Sequence, residues 1–142
     1  MGLALLWSCL LNKDMLSTQA PDILIVEDNN DIRHALKLAL ELEGYQVADA
    51  KNGADALDFL SKCPALPKLI LLDLLMPIMS GWEFIGELSK DLSHPRAHID
   101  IVVLSATSEK IIENRPQIRA SLKKPINLGE LYGVIGNLLT HK

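Results

Sequence analysis

Side chains that could do phosphate chemistry follow three apolar runs of the sequence, and a lysine lies further along the chain. Glu27 and Asp28 come after Ile-Leu-Ile-Val, Asp73 follows Leu-Ile-Leu-Leu, Ser105 follows Ile-Val-Val-Leu, and Lys124 stands just before a proline. Three carboxylates in one pocket would repel one another unless a cation compensates them, and oxygen ligands without His or Cys suit Mg²⁺. A lysine and a hydroxyl beside them could hold an anion. This combination is typical of a nucleophilic carboxylate with a metal ion and a phosphate cradle.

The elements that must position these residues alternate regularly along the chain. Apolar runs predict strands at residues 23–26, 45–50, 68–73 and 99–104, with a brief fifth strand at 121–123. Apolar residues at helical spacing predict helices after each strand: 31–42, ended by Gly44; 54–62, closed by Pro64; 82–92; 107–114; and a last helix capped by Asn127 that runs to about residue 139.

Five repeats of strand then helix predict an α/β fold with a doubly wound, five-stranded parallel sheet of flavodoxin-like (βα)5 type. Ligands on such sheets bind at the carboxyl ends of the strands. If the first, third, fourth and fifth strands are adjacent, the acidic pair, Asp73, Ser105 and Lys124 converge at one edge of the sheet.

Composition and charge narrow the class of protein. The chain has 142 residues, 49% of them hydrophobic and 4% aromatic, which favours one domain with an aliphatic core. A formal net charge of −4 argues against a broad nucleic-acid-binding face. Cys9 and Cys63 lack the spacing of a zinc site or a redox pair, which predicts two reduced thiols in a cytoplasmic protein.

The N-terminal lead, residues 1–20, differs from the rest of the chain. Met1 to Leu11 is almost wholly apolar but shorter than the roughly 20 residues that span a bilayer. No Lys or Arg precedes the run, which argues against a secretory signal. The lead is interpreted as a short extra helix or a disordered segment, followed by one domain over residues 21–142.

The order of these residues resembles the receiver domain of two-component response regulators. The similar stretches are Ile-Leu-Ile-Val-Glu-Asp-Asn, Leu-Leu-Asp-Leu-Leu-Met-Pro-Ile-Met-Ser-Gly, Val-Leu-Ser-Ala-Thr and Lys-Pro, which together extend over about residues 22–140. The Asp-x-x-Met-Pro-x-x-x-Gly stretch, combined with the acidic pair and Lys-Pro, is highly specific to this family. The resemblance is to a single-domain receiver similar to the chemotaxis regulators.

The resemblance implies the role of each acidic residue. Asp73 matches the phosphoacceptor. Glu27 and Asp28 match the acidic pair that, together with Asp73, holds Mg²⁺. The family's remaining protein ligand to the metal is a main-chain carbonyl two residues after the phosphoacceptor, which is that of Leu75 here.

The resemblance also implies which residues hold the phosphoryl group. Ser105 matches the switch hydroxyl that bonds a phosphoryl oxygen, and Lys124 matches the lysine that pairs with the group. Ala106 and Pro125 match supporting positions, and Pro125 is expected to follow a cis peptide bond.

The implied function is a phosphorylation-dependent signalling switch or relay in the cytoplasm, and not an enzyme. Its partners would be a sensor histidine kinase or histidine phosphotransfer protein, which donates from phosphohistidine, and an unidentified downstream protein. No nucleic acid or membrane partner is expected. If the chain is complete, the 60 or so residues of an output domain are absent, which indicates a single-domain regulator or a relay intermediate. Gly129, Gly133 and Gly136 share one face of the last helix, which suggests a homodimer through that helix.

Two departures from the family pattern leave an alternative open. Ser121 stands where the family has Tyr or Phe, and the segment between Ser105 and Lys124 is short. A serine cannot fill the space that the aromatic ring occupies, so other elements are expected to report the switch. The alternative is a receiver-like interaction module that does not switch by phosphorylation. An aspartyl phosphohydrolase lacks support because no Asp-x-Asp follows the first strand, and no glycine-rich nucleotide loop follows it either.

Overall fold

One parallel sheet of five strands forms the centre of the molecule. The computed structural model describes residues 20–106 and 115–140. In these residues the strands are β1 (Ile23–Val26), β2 (Val47–Ala50), β3 (Leu69–Asp73), β4 (Asp100–Ser105) and β5 (Ile118–Lys123). Their order across the sheet is β2-β1-β3-β4-β5. The predicted α/β fold is confirmed, and so is the adjacency of the first, third, fourth and fifth strands.

Helices cover both faces of this sheet. They are α1 (Asn30–Leu42), α2 (Gly53–Lys62), α3 (Gly81–Leu88) and α4 (Leu128–Thr140), with a short 3₁₀ helix at Pro95–His98. Asn29, Asn52 and Ser80 precede α1, α2 and α3, and each accepts a hydrogen bond from a main-chain N–H three residues on. Such caps satisfy N–H groups that have no partner inside the helix.

The core lies on both sides of the sheet because β1 is apolar at every position and β3 is apolar up to its last residue, Asp73. Leu24 and Val26 of β1 belong to the cluster packed under α2 and α3, whereas Ile23 and Ile25 belong to the cluster under α1 and α4. Alternate side chains of a strand point to opposite faces, so a continuous apolar run is what a sheet covered on both sides requires.

The helix after β3 is shorter than predicted. The expected helix 82–92 ends at Leu88, and Leu92, placed on its apolar face, is 66% exposed. The Ser89 hydroxyl donates to the carbonyl of Ile85 at 2.8 Å, and the Asp91 carboxylate accepts the N–H of Ser93 at 3.0 Å. Local hydrogen bonding by short polar side chains thus competes with helix continuation.

The last strand is longer than predicted. The expected three residues, 121–123, are preceded in the strand by Ile118, Arg119 and Ala120, of which Ile118 and Ala120 pair with β4. A register irregularity lies between Ile101 and Val102 of β4. The Ile-Arg-Ala stretch has no run of strong strand formers, so its conformation comes from the neighbouring strand rather than from local propensity.

Several expectations concern the remaining parts of the chain. The apolar lead up to residue 19 and the predicted helix 107–114 lie outside the described residues. Within the described ranges, no helix has the length and apolar content needed to cross a bilayer. Cys63, the residue that follows α2, is disulfide-bonded, so the prediction of a reduced thiol is wrong at this position.

Candidate functional site

All five residues predicted to act together lie at the carboxyl edge of the sheet. Val26 pairs with Leu72, so the residues that follow them, Glu27 and Asp73, are neighbours across β1 and β3. On the far side, Ser105 pairs with the last residue of β5, and its carbonyl accepts the N–H of Lys124 at 2.7 Å. Parallel strands end at the same edge, which is why residues so distant in the chain meet there.

Three carboxylates form the centre of the site. Oxygens of Glu27, Asp28 and Asp73 all lie within 4.8 Å of one another. Glu27 and Asp73 are buried, whereas Asp28 is exposed. One oxygen of Glu27, Oε2, accepts the N–H of Asn29 at 3.3 Å, and Oδ1 of Asp73 accepts the N–H of Leu75 at 3.2 Å.

Lys124 bridges the two buried carboxylates. Its Nζ lies 2.7 Å from Oε1 of Glu27 and 3.3 Å from Oδ1 of Asp73. Oε1 of Glu27 is buried, and the Lys124 ammonium is its close partner within the described residues. One ammonium does not compensate three carboxylates, and a hard divalent cation fits the all-oxygen cluster.

The surroundings of the site shift the pKa values of Asp73, Asp28 and Lys124 in different directions. Burial, hydrogen bonding with Glu27 and the negative charge of Glu27 together raise the pKa of Asp73 to about 7, against the opposing charge of Lys124. Burial also opposes ionisation of Asp28, but hydrogen bonds with Glu27 and Asp73 outweigh it and lower its pKa. For Lys124, burial is outweighed by the hydrogen bond and charge of Glu27, so its pKa is raised. Repulsion among the three carboxylates of the site is therefore only partly offset by the Lys124 ammonium.

Relieving this repulsion is expected to stabilise the metal-free protein. Asp73→Asn removes a group whose pKa is about 7 in the folded chain and ordinarily 3.8. Between about pH 3.8 and 7, the folded wild type keeps a proton on Asp73 that the unfolded chain has lost. The stability that this proton contributes is complete below about pH 3.8 and is lost as the pH rises through about 7. In EDTA, the free energy of unfolding of Asp73→Asn should exceed that of the wild type by about 4 kcal/mol at about pH 8, where the shift from 3.8 to about 7 acts in full.

Urea unfolding across about pH 5 to 8 measures this difference, which should shrink toward the acid end. Asp58→Asn is the matched control, because Asp58 is exposed on α2 and pairs with the exposed Lys62 at 3.0 Å. Parallel pH profiles for wild type and Asp73→Asn would show that Asp73 is not under electrostatic strain.

A glycine lets the helix after β3 begin close to the site. A Cβ on Gly81 would lie 2.7 Å from the carbonyl oxygen of Asp73 and 2.8 Å from Cα of Leu74, too close for any side chain. The Gly81 N–H donates to the carbonyl of Leu74 at 3.0 Å. Between Leu74 and Gly81 the chain loops outward, and Leu75 in this loop is 74% exposed. The glycine of the sequence motif is therefore a packing requirement of this loop.

The remaining predicted site residues lie around the same edge. Ser105 is buried, Ala106 is exposed, and the Lys124–Pro125 peptide bond is cis, as expected. Ser121 is partly buried and pairs with Val103 of β4. The roles assigned to these residues, and to the carbonyl of Leu75, stay predictions.

Arg33 is a residue of the site region that sequence reasoning missed. A charged residue of an amphipathic helix is expected on its polar face, yet Arg33 is only 8% exposed. Its position gives a usable signal, because Arg33, Leu36 and Leu40 are spaced three and four residues apart on the buried face of α1. A cation within an apolar stripe needs partners, and these lie next to the acidic pair.

Comparisons with known proteins agree with this geometry. The family described as "Response regulator receiver domain" matches residues 23–135. The sensor histidine kinase TmoS of Ectopseudomonas mendocina is 36% identical over 125 residues, which are 86% of this chain but only 12% of that protein.

Two solved structures are similar over most of the chain. The response regulator protein TrrA of Thermotoga maritima, in complex with Mg²⁺-BeF, is 33% identical with a TM-score of 0.67, covering 82% of this chain and 96% of that one. The receiver domain of a signal transduction histidine kinase from Syntrophus aciditrophicus is 30% identical with a TM-score of 0.71, covering 85% and 91%. The chain described here therefore belongs to the response regulator receiver domain family.

Proposed function

We propose that this chain acts as a phosphorylation-dependent switch or relay that accepts a phosphoryl group on Asp73. The observation that supports this most directly is the position of Asp73, buried between the acidic pair and the Lys124 ammonium. Glu27 is a poorer nucleophile here, because it is fully buried and both of its oxygens face fixed partners, Lys124 and the Asn29 N–H.

In the proposed reaction a carboxylate oxygen of Asp73 attacks the phosphorus of a phosphohistidine. The P–N bond breaks, the electron pair returns to the imidazole, and an acyl phosphate forms on Asp73. Lys124 neutralises charge on the transferred group, and the Ser105 hydroxyl donates a hydrogen bond to one of its oxygens. Water later cleaves the acyl phosphate, which releases inorganic phosphate and restores the Asp73 carboxylate. In this proposal the chain is a switch that is phosphorylated and reset, rather than an enzyme.

A Mg²⁺ ion is the proposed cofactor. Glu27, Asp28 and Asp73 would hold it, because their carboxylate oxygens converge within 4.8 Å. The main-chain carbonyl of Leu75 is the further protein ligand that we propose. When bound, the ion would neutralise negative charge on the transferring phosphoryl group. The similarity to TrrA, whose structure contains Mg²⁺-BeF, supports the choice of metal.

The proposed donor is a sensor histidine kinase or a histidine phosphotransfer protein, and the proposed recipient of the signal is a further protein. Similarity to a sensor histidine kinase and to the receiver domain of another histidine kinase supports the donor class. The net charge of −4 supports a protein rather than a nucleic acid partner. A cytoplasmic location rests on the donor chemistry alone, since the disulfide at Cys63 does not itself favour a reducing compartment.

The proposal is tested with the wild-type chain and a small phosphodonor such as acetyl phosphate. Intact mass spectrometry should show one added phosphoryl group in Mg²⁺ and none in EDTA. No labelling under either condition would favour the alternative function, an interaction module that does not switch, for which Ser121 in place of the usual aromatic residue is the supporting observation.

Self-association through α4 is a separate proposal about partners. Gly133 and Gly136 have open space where a Cβ would lie, so alanine fits there within the monomer. Replacing both is expected to raise the free energy of unfolding by about 1 kcal/mol per site, since glycine is a poor helix former. If α4 forms the dimer contact, the added methyl groups should also convert dimer to monomer in sedimentation experiments.

Gly86→Ala serves as the control, because Gly86 lies in α3 and a Cβ there would also face open space among the described residues. It should stabilise the chain without changing its sedimentation. A wild-type chain that sediments as a monomer at high concentration, with and without a phosphoryl mimic, would exclude the dimer.

A further inference from the structure

The guanidinium of Arg33 uses all three of its nitrogens on groups around the acidic pair. Nε donates to Oδ2 of Asp49 at 2.9 Å, Nη1 donates to the carbonyl of Glu27 at 2.9 Å, and Nη2 donates to Oδ1 of Asn30 at 2.7 Å. Three partners from β2, the turn after β1 and the start of α1 are thereby joined by one planar group. A buried guanidinium needs such partners, because an unpaired one would be strongly destabilising.

The contact with Glu27 is made to its backbone. Glu27 follows the last residue of β1, and its N–H still pairs with the carbonyl of Ala50 at 3.1 Å. Its carbonyl accepts the buried hydrogen bond from Arg33. Both main-chain polar groups of Glu27 are therefore held, and a residue held in this way directs its side chain into a narrow range of positions.

The other partners make Arg33 a rigid support. Asp49 accepts from Arg33 through one oxygen and from Lys37 through the other, at 2.9 Å and 3.1 Å. Asn30 opens α1 directly after its cap, Asn29. The turn that contains Glu27 and Asp28 is thus fastened to β2 and to the first turn of α1.

We propose that Arg33 is a positioning residue for the cation site, and that it sets the affinity for the divalent metal through the backbone of Glu27. This inference rests on the proposed function, because it takes Glu27 and Asp28 as metal ligands. Outer residues that orient metal ligands commonly change affinity by about 10- to 100-fold when they are replaced.

A purely electrostatic role and a positioning role predict opposite changes in Mg²⁺ affinity when Arg33 is replaced by a neutral residue. Arg33 is cationic, so its removal should strengthen Mg²⁺ binding if only charge mattered. If Arg33 positions Glu27, its removal should weaken binding. Arg33→Lys keeps the charge but has one nitrogen in place of a three-nitrogen fork, so it isolates the geometric contribution.

The experiment is a calorimetric titration of the full chain with Mg²⁺ alone. Arg33→Lys and Arg33→Gln should each weaken Mg²⁺ binding by about 10-fold. Lys37→Gln is the matched control, because Lys37 lies one turn along α1 and contacts Asp49 but not Glu27. It should leave the affinity unchanged or slightly raise it. Urea unfolding establishes that each variant is folded at the temperature of the titration.

A second readout requires no metal. The Asn29 N–H donates to Glu27 at 3.3 Å, so its hydrogen-exchange protection reports the position of the Glu27 side chain. Protection should fall in Arg33→Lys and persist in Lys37→Gln, even if Arg33→Gln does not fold.

Three results would overturn the inference. Equal Mg²⁺ affinities for wild type and Arg33→Lys would contradict this inference but not the proposed metal. Tighter binding by Arg33→Gln would do the same. Absence of Mg²⁺ binding by the wild-type chain would contradict both this inference and the proposed metal.

Discussion

Replacing Asp73 with asparagine is expected to abolish phosphoryl acceptance. Asparagine has nearly the same shape, so the fold should persist, but its amide is not an anionic nucleophile. With acetyl phosphate and Mg²⁺, the added phosphoryl group of the wild type should be missing from intact mass spectra of the variant. A rate loss on the order of 10³ or more is typical when a nucleophile is removed.

Asp58→Asn provides the matched control for this experiment as well. It makes the same chemical change at an exposed position of α2 and should be labelled as fully as the wild type. A stoichiometric label that persists in Asp73→Asn would move the phosphoacceptor to another residue of the acidic cluster.

Replacing Lys124 with methionine should strongly destabilise the metal-free protein. The substitution leaves the buried carboxylate of Glu27 without its close cation, which lies at 2.7 Å, and deprives Asp73 of a partner at 3.3 Å. Breaking a buried ion pair by removing one partner typically costs about 3–5 kcal/mol. Urea unfolding in EDTA at about pH 8 should show a loss of this size.

Added Mg²⁺ should recover part of that loss, since a bound cation would supply the missing positive charge to the same carboxylates. Lys123→Met is the control, because Lys123 is the exposed neighbour of Lys124 at the end of β5. If both variants lose the same small amount of stability, the Lys124 ammonium is not needed to hold the carboxylates together.

Combining the two substitutions tests whether the charges are coupled. Asp73→Asn removes one of the buried carboxylates that Lys124 contacts, so the cost of Lys124→Met should be smaller in that background. Residues in one ion-pair network commonly deviate from additivity by about 0.5–3 kcal/mol. Strict additivity would indicate that Lys124 stabilises the chain mainly through Glu27.

Much of the site could be predicted because the sheet imposes it. A strand buried on both faces must be apolar at every position, so its end is visible as the first polar residue, as at Glu27 and Asp73. Parallel strands place these ends at one edge. Residue type and strand end were therefore enough to group Glu27, Asp28, Asp73, Ser105 and Lys124, whose exact partners were left open.

Elements whose ends depend on local hydrogen bonding, or on pairing with a neighbouring strand, could not be predicted in full. Helical spacing placed Leu92 within α3, but short polar side chains ended the helix at Leu88. The first residues of β5 have weak strand propensity, and β4 determines their conformation. Secondary structure near an element's end depends on competitors that periodicity does not represent.

By itself, the sequence determined the apolar runs, the polar residues that end them and hence the fold and the acidic edge. Only the tertiary structure decided how those charges are paired. Lys124 reaches Glu27 more closely than Asp73, and Arg33 lies inside the protein rather than on a solvated helix face. The physical reason is that a long cationic side chain can reach several carboxylates and carbonyls, and which of them it contacts depends on burial and packing across elements, not on position in the chain.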